Sequence, residues 1–127
     1  MNGKMSNLII GVDIIEIWRI GATLQRFGKR FLERIYTLDE ITYCRNRAPQ
    51  LSARFAAKEA VMKALGTGTR GIGWKEIEVQ RSKSGQPHIK LTGRAAARAS
   101  KLGVVSIEVS LSHSREYAVA SVVGQLK

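Results

Sequence analysis

A stretch near the middle of the chain constrains the fold more than any other part of the sequence. Residues 52–68 read SARFAAKEAVMKALGTG, and their small apolar side chains recur every three or four positions. This spacing places one apolar stripe along a helix: Ala57, Ala60, Val61, Ala64 and Leu65. Alanines allow close packing, so we expect the stripe to lie against a sheet. Ser52 is the expected amino-terminal cap, and Gly66 and Gly68 supply the left-handed backbone that ends the helix.

The other faces of this predicted helix carry mostly charged residues. They are Arg54, Lys58, Glu59 and Lys63, together with Met62. Glu59 and Lys63 stand one turn apart, which is the spacing of an ion pair worth about 0.3 kcal/mol in an isolated helix. Taken alone, these residues describe a solvated surface face.

The beginning of the chain adds a second constraint. Residues 8–15 are rich in Ile and Val and predict a buried strand. Asp13 lies inside this run, and it needs a partner or a cation because burying an unpaired carboxylate is costly. From Glu16 to about residue 35 the apolar residues recur at three and four positions, with basic residues between them. This pattern predicts one helix with a basic outer face, or two helices broken near Gly28.

The two stretches together resemble the signature of the phosphopantetheinyl transferases, specifically the small holo-[acyl-carrier-protein] synthase type. The first family motif, roughly G-I/V-D-I/L-x-E-I-x-R, is matched by residues 11–19, and the second, F-A-x-K-E-A-x-x-K-A-x-G-T-G, by residues 55–68. Residues 110–120, SLSHSREYAVA, resemble the family's carboxy-terminal S-x-S-H hairpin. The resemblance implies an α+β fold in which a small, mainly antiparallel sheet packs on a long central helix.

The resemblance also implies a reaction, in which 4'-phosphopantetheine moves from coenzyme A to a serine of apo acyl carrier protein and adenosine 3',5'-bisphosphate is released. Asp13 and Glu59 are oxygen ligands from two separate elements, which is how Mg²⁺ is usually held. We expect Lys63 to neutralise the pyrophosphate beside this metal. Glu59, or a water held by it, is the expected base for the serine. Glu16 is a further carboxylate near the proposed metal site.

The remaining site residues follow from the same resemblance. Arg54, Lys63, Gly66 and His113 are expected to bind coenzyme A, the first and last at its 3'-phosphate and adenine. His113 stands among hydroxyls and an arginine, which suits phosphate. Arg19 and Arg26 on the basic helix are expected to dock the acidic carrier protein. The family also implies a homotrimer whose active sites lie between subunits, and a role in the lipid metabolism of the cytoplasm.

Composition alone leaves the partner open. The chain has 127 residues, enough for one domain, and a formal net charge of +11 from 21 Lys and Arg against 10 Asp and Glu. Such a surface attracts polyanions, whether nucleic acid, an acidic protein or a phosphorylated small molecule. The charges are dispersed and only 6% of residues are aromatic, so the sequence shows no stacking platform for nucleic acid. A nucleic-acid-binding module and a non-catalytic structural protein are the competing classes, whereas our expectation is no nucleic acid.

Local signals predict the elements just before the central helix. Thr37 and Glu40 form a capping box for a helix that runs to about Arg47, and Pro49 ends it. Cys44, the only cysteine, is expected to be a small buried residue, so the chain forms no intrachain disulfide and no cysteine metal site. Residues 1–7 are expected to form a flexible extension. The apolar run after them is too short and too charged to span a membrane.

The elements after the central helix form a simple series. They are expected to be a hairpin of strands 74–81 and 88–91, a helix 93–102 capped by Thr92, and strands 104–111 and 117–123 that bracket His113 at a turn. The last two strands alternate too little to keep one face in water. We therefore expect part of their surface to be buried against another copy of the chain.

Overall fold

A computed structural model describes residues 7–127. Five helices and five strands follow one another: β1 (Leu8–Glu16), α1 (Ile17–Phe27), α2 (Lys29–Ile35), α3 (Leu38–Cys44), α4 (Ala48–Leu65), β2 (Ile77–Arg81), β3 (Pro87–Leu91), α5 (Gly93–Leu102), β4 (Val104–His113) and β5 (Tyr117–Leu126). Of the flexible extension predicted over residues 1–7, residues 1–6 lie outside the described part. Asn7 is hydrogen-bonded to the last strand, because its carbonyl accepts a hydrogen bond from Leu126 N at 2.7 Å.

The strands form two antiparallel sheets, one of order β1-β5-β4 and one of β2-β3. Helix α4 packs on the inner face of the three-stranded sheet, as its alanine stripe predicts. The approach is closest at Gly11, where an added Cβ would stand 1.9 Å from the carbonyl oxygen of Ala60. No other residue fits there. The predicted α+β fold, with a small antiparallel sheet on a central helix, is confirmed.

Helix α4 differs from the prediction at its start and in its burial. It begins at Ala48, with Pro49 in its first turn, where the missing N–H costs no hydrogen bond. Ser52 is therefore not a cap: it is buried inside the helix, and its Oγ has no hydrogen-bond partner among the described residues. Arg54 and Lys58 are buried as well, so the charged side is no solvated face. The helix is enclosed on almost every side.

Several predicted boundaries hold and others move by a few residues. The long amino-terminal helix is two helices broken at Gly28, whose φ is 54°. Thr37 and Glu40 form the predicted capping box. The helix that follows ends at Cys44 rather than near Arg47, because the chain turns left-handed after it. Cys44 is fully buried, as expected, and burial raises its thiol pKa to about 11.

Two expectations in the carboxy-terminal half were wrong in detail. The strand predicted over 74–81 starts as a 3₁₀ turn at Trp74–Glu76 and becomes β2 only at Ile77. Thr92 occupies the first position before α5, but its side chain forms no cap. Glu76 caps α5 instead, because its carboxylate accepts a hydrogen bond from Arg94 N at 2.9 Å. The same carboxylate accepts a second hydrogen bond from Gly73 N at 2.6 Å.

The outer face of the three-stranded sheet shows where the apolar surface lies. Strand β1 is buried on one face only, because Ile10, Val12 and Ile14 are 66%, 55% and 63% exposed. From residue 106 to residue 112, strand β4 alternates and turns polar residues outward: Ser106, Glu108, Ser110 and Ser112. The expectation that the last two strands alternate too little is therefore wrong for β4, whereas β5 does expose apolar side chains, with Tyr117 44% and Val123 39% exposed. Among residues 7–127, no helix combines the length and apolar character needed to cross a membrane.

Candidate active site

Asp13 and Lys63 meet at the edge of the sheet formed by β1. Asp13 points to the inner face, two residues beyond the close approach at Gly11, so its carboxylate faces α4. Lys63 Nζ lies 3.0 Å from Asp13 Oδ1 and donates to the Val12 carbonyl at 3.0 Å. The predicted pairing of Glu59 with Lys63 is thus wrong, since Lys63 forms its salt bridge with Asp13. Asp13 gains the partner that a carboxylate in a strand requires.

Glu59 lies on the same side of α4 and interacts electrostatically with Asp13 and Lys63. Burial raises the pKa of the Glu59 carboxyl above its ordinary value, the nearby Asp13 charge raises it further, and Lys63 partly offsets both. Two carboxylates therefore repel each other beside a single ammonium group, a situation that a divalent cation would relieve. The described residues contain no cluster of three or more His, Cys, Asp or Glu side chains suited to a metal. Two carboxylates match Mg²⁺, which keeps several waters and uses substrate phosphates as further ligands.

Arg54 and His113 lie together at a different place. Arg54 is 3% exposed; its Nη1 donates to the Gln50 carbonyl at 3.4 Å, and its Nη2 has no partner among the described residues. His113 ends β4 and is exposed, with Nδ1 3.4 Å from the Ser114 carbonyl. Both side chains line one cavity of about 140 Å³. A buried guanidinium nitrogen that lacks a hydrogen-bond partner is costly, so this cavity suits an anion.

The two groups of predicted site residues lie at opposite edges of the sheet. Asp13 is on β1 and His113 on β4, with β5 between them. Neighbouring strands are about 4.8 Å apart, so the edge strands are separated by roughly 10 Å. The structure brings Asp13, Glu59 and Lys63 together, and Arg54 with His113, but it does not join the two groups within one chain.

Gly66 closes the carboxyl end of α4, one turn beyond Lys63. Its φ of 75° is the left-handed conformation predicted for this position. The amide of Gly66 donates to the Lys63 carbonyl at 3.1 Å, so the end of the helix and the candidate metal site share one turn. Arg98 reaches the same end and donates from Nε to the Leu65 carbonyl at 3.0 Å.

The two arginines predicted to dock a carrier protein are exposed on α1. Arg19 forms a salt bridge with Glu16 at 3.0 Å and lies 5.8 Å from the Trp18 ring centre. Arg26 lies 5.1 Å from the ring centre of Phe27. Beside this helix is an apolar cavity of about 410 Å³, lined by Thr23, Phe27, Arg30, Phe31, Arg34, Ile35, Phe55 and Trp74. The basic face thus adjoins a hydrophobic recess.

The sequence interpretation missed a buried ion pair on the far side of α4. Lys58 Nζ lies 2.7 Å from Glu40 Oε1, both side chains are fully buried, and the ammonium also donates to the Trp74 and Ile77 carbonyls. Burial lowers the pKa of Lys58, and Glu40 counteracts that shift. The signal was available, because Leu51, Lys58 and Leu65 are seven residues apart and so share one helix face.

Comparison with known proteins identifies the class of protein that carries these groups. Residues 9–122 match the sequence profile of the 4'-phosphopantetheinyl transferase superfamily. The chain is 53% identical over 118 residues to a holo-[acyl-carrier-protein] synthase of Dehalococcoides mccartyi, covering 93% of this chain and 98% of the relative. It is 52% identical over 117 residues to that of Gloeobacter violaceus, covering 89% of each.

A solved structure agrees with the sequence relatives. The holo-[acyl-carrier-protein] synthase of Helicobacter pylori, in complex with coenzyme A, has a TM-score of 0.84 to this chain at 32% identity. The match covers 92% of this chain and 100% of that one. The chain therefore belongs to the 4'-phosphopantetheinyl transferase superfamily. It is an enzyme of the holo-[acyl-carrier-protein] synthase type, which confirms the resemblance read from its motifs.

Proposed function

We propose that this enzyme transfers 4'-phosphopantetheine from coenzyme A to a serine of apo acyl carrier protein, depends on Mg²⁺, and releases adenosine 3',5'-bisphosphate. The observation that carries the proposal is the group formed by Asp13, Glu59 and Lys63. Two carboxylates and one ammonium converge from β1 and α4, and burial and mutual repulsion already raise the pKa of Glu59. Such a group suits the pyrophosphate of coenzyme A.

Asp13 and Glu59 would hold the magnesium ion. When bound, Mg²⁺ neutralises charge that builds on the pyrophosphate during transfer. Lys63 supplies a second positive charge: its side chain is 54% exposed and forms two hydrogen bonds with residues 7–127, so it can turn from Asp13 to a phosphate oxygen. Both effects act where negative charge increases, which is where electrostatic stabilisation accelerates a reaction most.

Glu59 is the proposed base. The serine oxygen of the carrier attacks the phosphorus that bears the pantetheine, the bond from that phosphorus to the bridging oxygen breaks, and the bridging oxygen leaves with adenosine 3',5'-bisphosphate. The serine proton passes to Glu59, either directly or through a water that Glu59 holds. Glu59 suits this role by its position, because it lies beside Asp13 and Lys63, where the pyrophosphate is proposed to bind.

Arg54, His113 and Gly66 are proposed to bind the rest of coenzyme A. The Nη2 of Arg54 is buried without a partner beside the cavity that His113 also lines, so a phosphate oxygen would satisfy it. Gly66 leaves room for backbone to approach the ligand at the end of α4. Arg54 and His113 form the anchor for the 3'-phosphate and adenine, away from the reacting bond.

The acidic carrier protein is proposed to dock on α1. Arg19 and Arg26 offer exposed positive charges, and the apolar cavity next to them offers a place for a hydrophobic side chain of the partner. Charge guides the encounter, whereas apolar contact holds the complex once it has formed. No nucleic acid is needed to account for the basic surface.

A homotrimer with shared active sites would solve the separation of the two groups. Asp13 and His113 lie at opposite edges of one sheet, so a cyclic arrangement can bring the β1 edge of one copy beside the β4 edge of the next. The exposed row Ile10, Val12 and Ile14 supplies apolar surface for that contact. Light scattering should give a trimeric mass.

Complementation tests the shared site directly. An Asp13→Asn protein mixed and reassembled with a His113→Ala protein should regain activity, because some sites then combine two unaltered halves. A trimer without complementation would place both residues of a site on one chain. A fully active monomer would overturn the assembly.

One assay tests the function as a whole. The protein is incubated with coenzyme A, Mg²⁺ and an apo carrier protein, and the carrier is weighed by mass spectrometry. A gain of one phosphopantetheine is expected, with adenosine 3',5'-bisphosphate in the supernatant. No gain, together with salt-dependent binding to DNA or RNA, would favour a nucleic-acid-binding module instead.

We propose the cytoplasm as the site of this reaction and residues 1–127 as a single catalytic domain.

A further inference from the structure

Arg98, on α5, extends to the carboxyl end of α4. Its Nε donates to the carbonyl of Leu65, the last residue of α4, at 3.0 Å. A carbonyl in the last turn of a helix has no partner within that helix, so Arg98 satisfies an acceptor that α4 leaves open. Nη2 of the same guanidinium lies 3.6 Å from the position that a Cβ on Gly66 would occupy. Arg98 therefore lies against the start of the turn that follows α4.

This turn, residues 66–72, has few restraints from other parts of the fold; we call it the Gly66 turn. Among the described residues, Arg98 is the one side chain from another element that hydrogen-bonds to residues 65–72. Gly68 and Gly71 have open space where a Cβ would stand. Ile72 is buried in the core and fixes the far end of the turn. The near end depends on Arg98 and on local hydrogen bonds to the last turn of α4.

Arg98 itself is restrained because α5 is packed along its length. Ala95 and Ala99, which flank Arg98 on α5, are buried in the same core as the alanine stripe of α4. The first turn of α5 is fixed by Glu76, which accepts a hydrogen bond from Arg94 N at 2.9 Å. A side chain on a packed helix holds its contacts more precisely than one on a loop. Arg98 is thus a rigid support for a segment that has few others.

The charge of Arg98 serves α4 and not a carboxylate. Every salt bridge within residues 7–127 involves another cation. The peptide dipoles of a helix place partial negative charge at its carboxyl end, so a guanidinium group there is stabilising. The hydrogen bond to Leu65 is accordingly a charge-assisted one, which is stronger than a neutral bond.

We propose that Arg98 is a positioning residue: through the Leu65 carbonyl it holds the end of α4 and the Gly66 turn in the conformation that receives the phosphopantetheine donor. The inference rests on the proposed function, in which Gly66 lies against coenzyme A. Arg98 acts through backbone and touches neither the reacting bond nor the donor. Carrier docking is proposed on another helix, α1, so the loss of Arg98 should affect the donor and spare the carrier.

Amide hydrogen exchange tests the support of the turn without any turnover. The amides of Gly66 and Thr67 each donate to a carbonyl in the last turn of α4 at 3.1 Å, so their exchange reports whether this segment is ordered. Arg98→Met keeps the length of the side chain but removes its donors and charge. It should speed the exchange of both amides roughly tenfold, the size expected for one lost charged hydrogen bond.

Two controls accompany the exchange measurement. Arg98→Lys keeps the charge and a donor and should retain most of the protection. The amide of Gly28, which donates to the Leu24 carbonyl at 2.7 Å at the end of α1, should exchange at the same rate in every variant. Unchanged exchange of Gly66 and Thr67 in Arg98→Met would overturn the proposal.

Kinetics separate an effect on the donor from a general defect. In Arg98→Met we expect kcat/KM for coenzyme A to fall roughly tenfold, whereas the KM for carrier protein should stay near its normal value. Lys101→Met removes one exposed cation from the same helix and should change neither constant. Equal effects on donor and carrier would overturn the positioning role. Arg98→Gln carries the test if Arg98→Met does not fold.

A double variant distinguishes positioning from direct contact with the donor. Gly66→Ala places a side chain at a φ of 75° and should itself disturb the turn. If Arg98 acts through the turn, adding Arg98→Met to Gly66→Ala should cost little more. A full further loss would mean that Arg98 binds the donor directly, which would overturn the positioning role. If the unaltered protein transfers nothing from coenzyme A, the proposed function fails, and the exchange measurement still decides whether Arg98 holds the turn.

Discussion

Two lysines on α4, Lys58 and Lys63, both pair with a carboxylate but differ in burial and in how many of their hydrogen-bond donors are used. Lys58 and its partner Glu40 are fully buried, and the ammonium contacts Glu40 and two backbone carbonyls, which uses all three of its hydrogens. Lys63 pairs with Asp13 at the same edge as Glu59, but its side chain is 54% exposed and its ammonium forms two hydrogen bonds with the described residues. The first pair is complete, whereas the second has capacity left for a ligand.

This difference shows how to tell a structural ion pair from a functional one. Glu40 also accepts from the amides of Thr37 and Val79, at 2.9 and 2.8 Å, so α3, α4 and β2 meet at one satisfied carboxylate. Glu59, by contrast, forms no salt bridge within residues 7–127, and burial and the nearby Asp13 raise its pKa. Satisfied buried charge fixes a fold, and unsatisfied charge at an edge is available for chemistry.

The largest effect expected from this comparison concerns stability. Lys58→Met leaves Glu40 buried without its cation and should lower the free energy of unfolding by about 3–5 kcal/mol. Lys63→Met removes a half-exposed cation from Asp13, whose side chain is 12% exposed, and should cost clearly less, on the order of 1 kcal/mol. Urea denaturation of both variants measures the contrast. Equal losses would mean that the two lysines do not differ as described.

Catalytic activity, in contrast to stability, should depend most on the carboxylates at the sheet edge. Glu59→Gln and Asp13→Asn each remove a carboxylate charge but little volume, so the fold should persist while transfer falls at least about 100-fold. Chelation of Mg²⁺ should give a similar loss in the unaltered enzyme. Near-normal turnover of either variant at saturating coenzyme A would remove the carboxylate pair from the mechanism.

A smaller effect separates charges that act on encounter from charges that act on chemistry. Arg19→Glu and Arg26→Glu should raise the KM for carrier protein several times more than the KM for coenzyme A, because rim charges act mainly on association. Added salt should do the same to the unaltered enzyme. Lys101→Glu, on α5, is the matched charge reversal and should leave both constants near their normal values. If the KM for carrier protein changes neither with charge reversal at Arg19 and Arg26 nor with added salt, α1 presents only a solvated face.

Much of the fold could be predicted because local signals mark it. The capping box at Thr37, the break at Gly28 and the left-handed end at Gly66 all depend on residues close together in sequence. Burial could not be predicted as well, since it depends on distant neighbours. The run of apolar residues in β1 predicts a strand buried on both faces, but α4 covers only the inner face, and Val12 and its outer neighbours remain exposed.

The candidate site divides in the same way. Asp13 could be singled out because a carboxylate in a strand requires an explanation, and the motifs supplied Glu59 and Lys63. The pairing of Lys63 with Asp13 and not with Glu59 could not be predicted from the sequence, because it depends on how closely Gly11 lets β1 approach α4. The contacts of Arg54 and Arg81 with the Tyr43 ring were missed for a similar reason, since these residues come from α4, β2 and α3.

The central claim is that Asp13 and Glu59 form a carboxylate pair that awaits a cation, and a titration of Glu59 by carbon-detected NMR tests it without any turnover. In metal-free protein the pKa of Glu59 should lie above its ordinary value, and Asp13→Asn should lower it, because a neighbouring negative charge is lost. Adding Mg²⁺ to the unaltered protein should lower it as well, and the response should weaken in Asp13→Asn. A Glu59 carboxyl that titrates normally and ignores both Mg²⁺ and the loss of Asp13 would contradict the account.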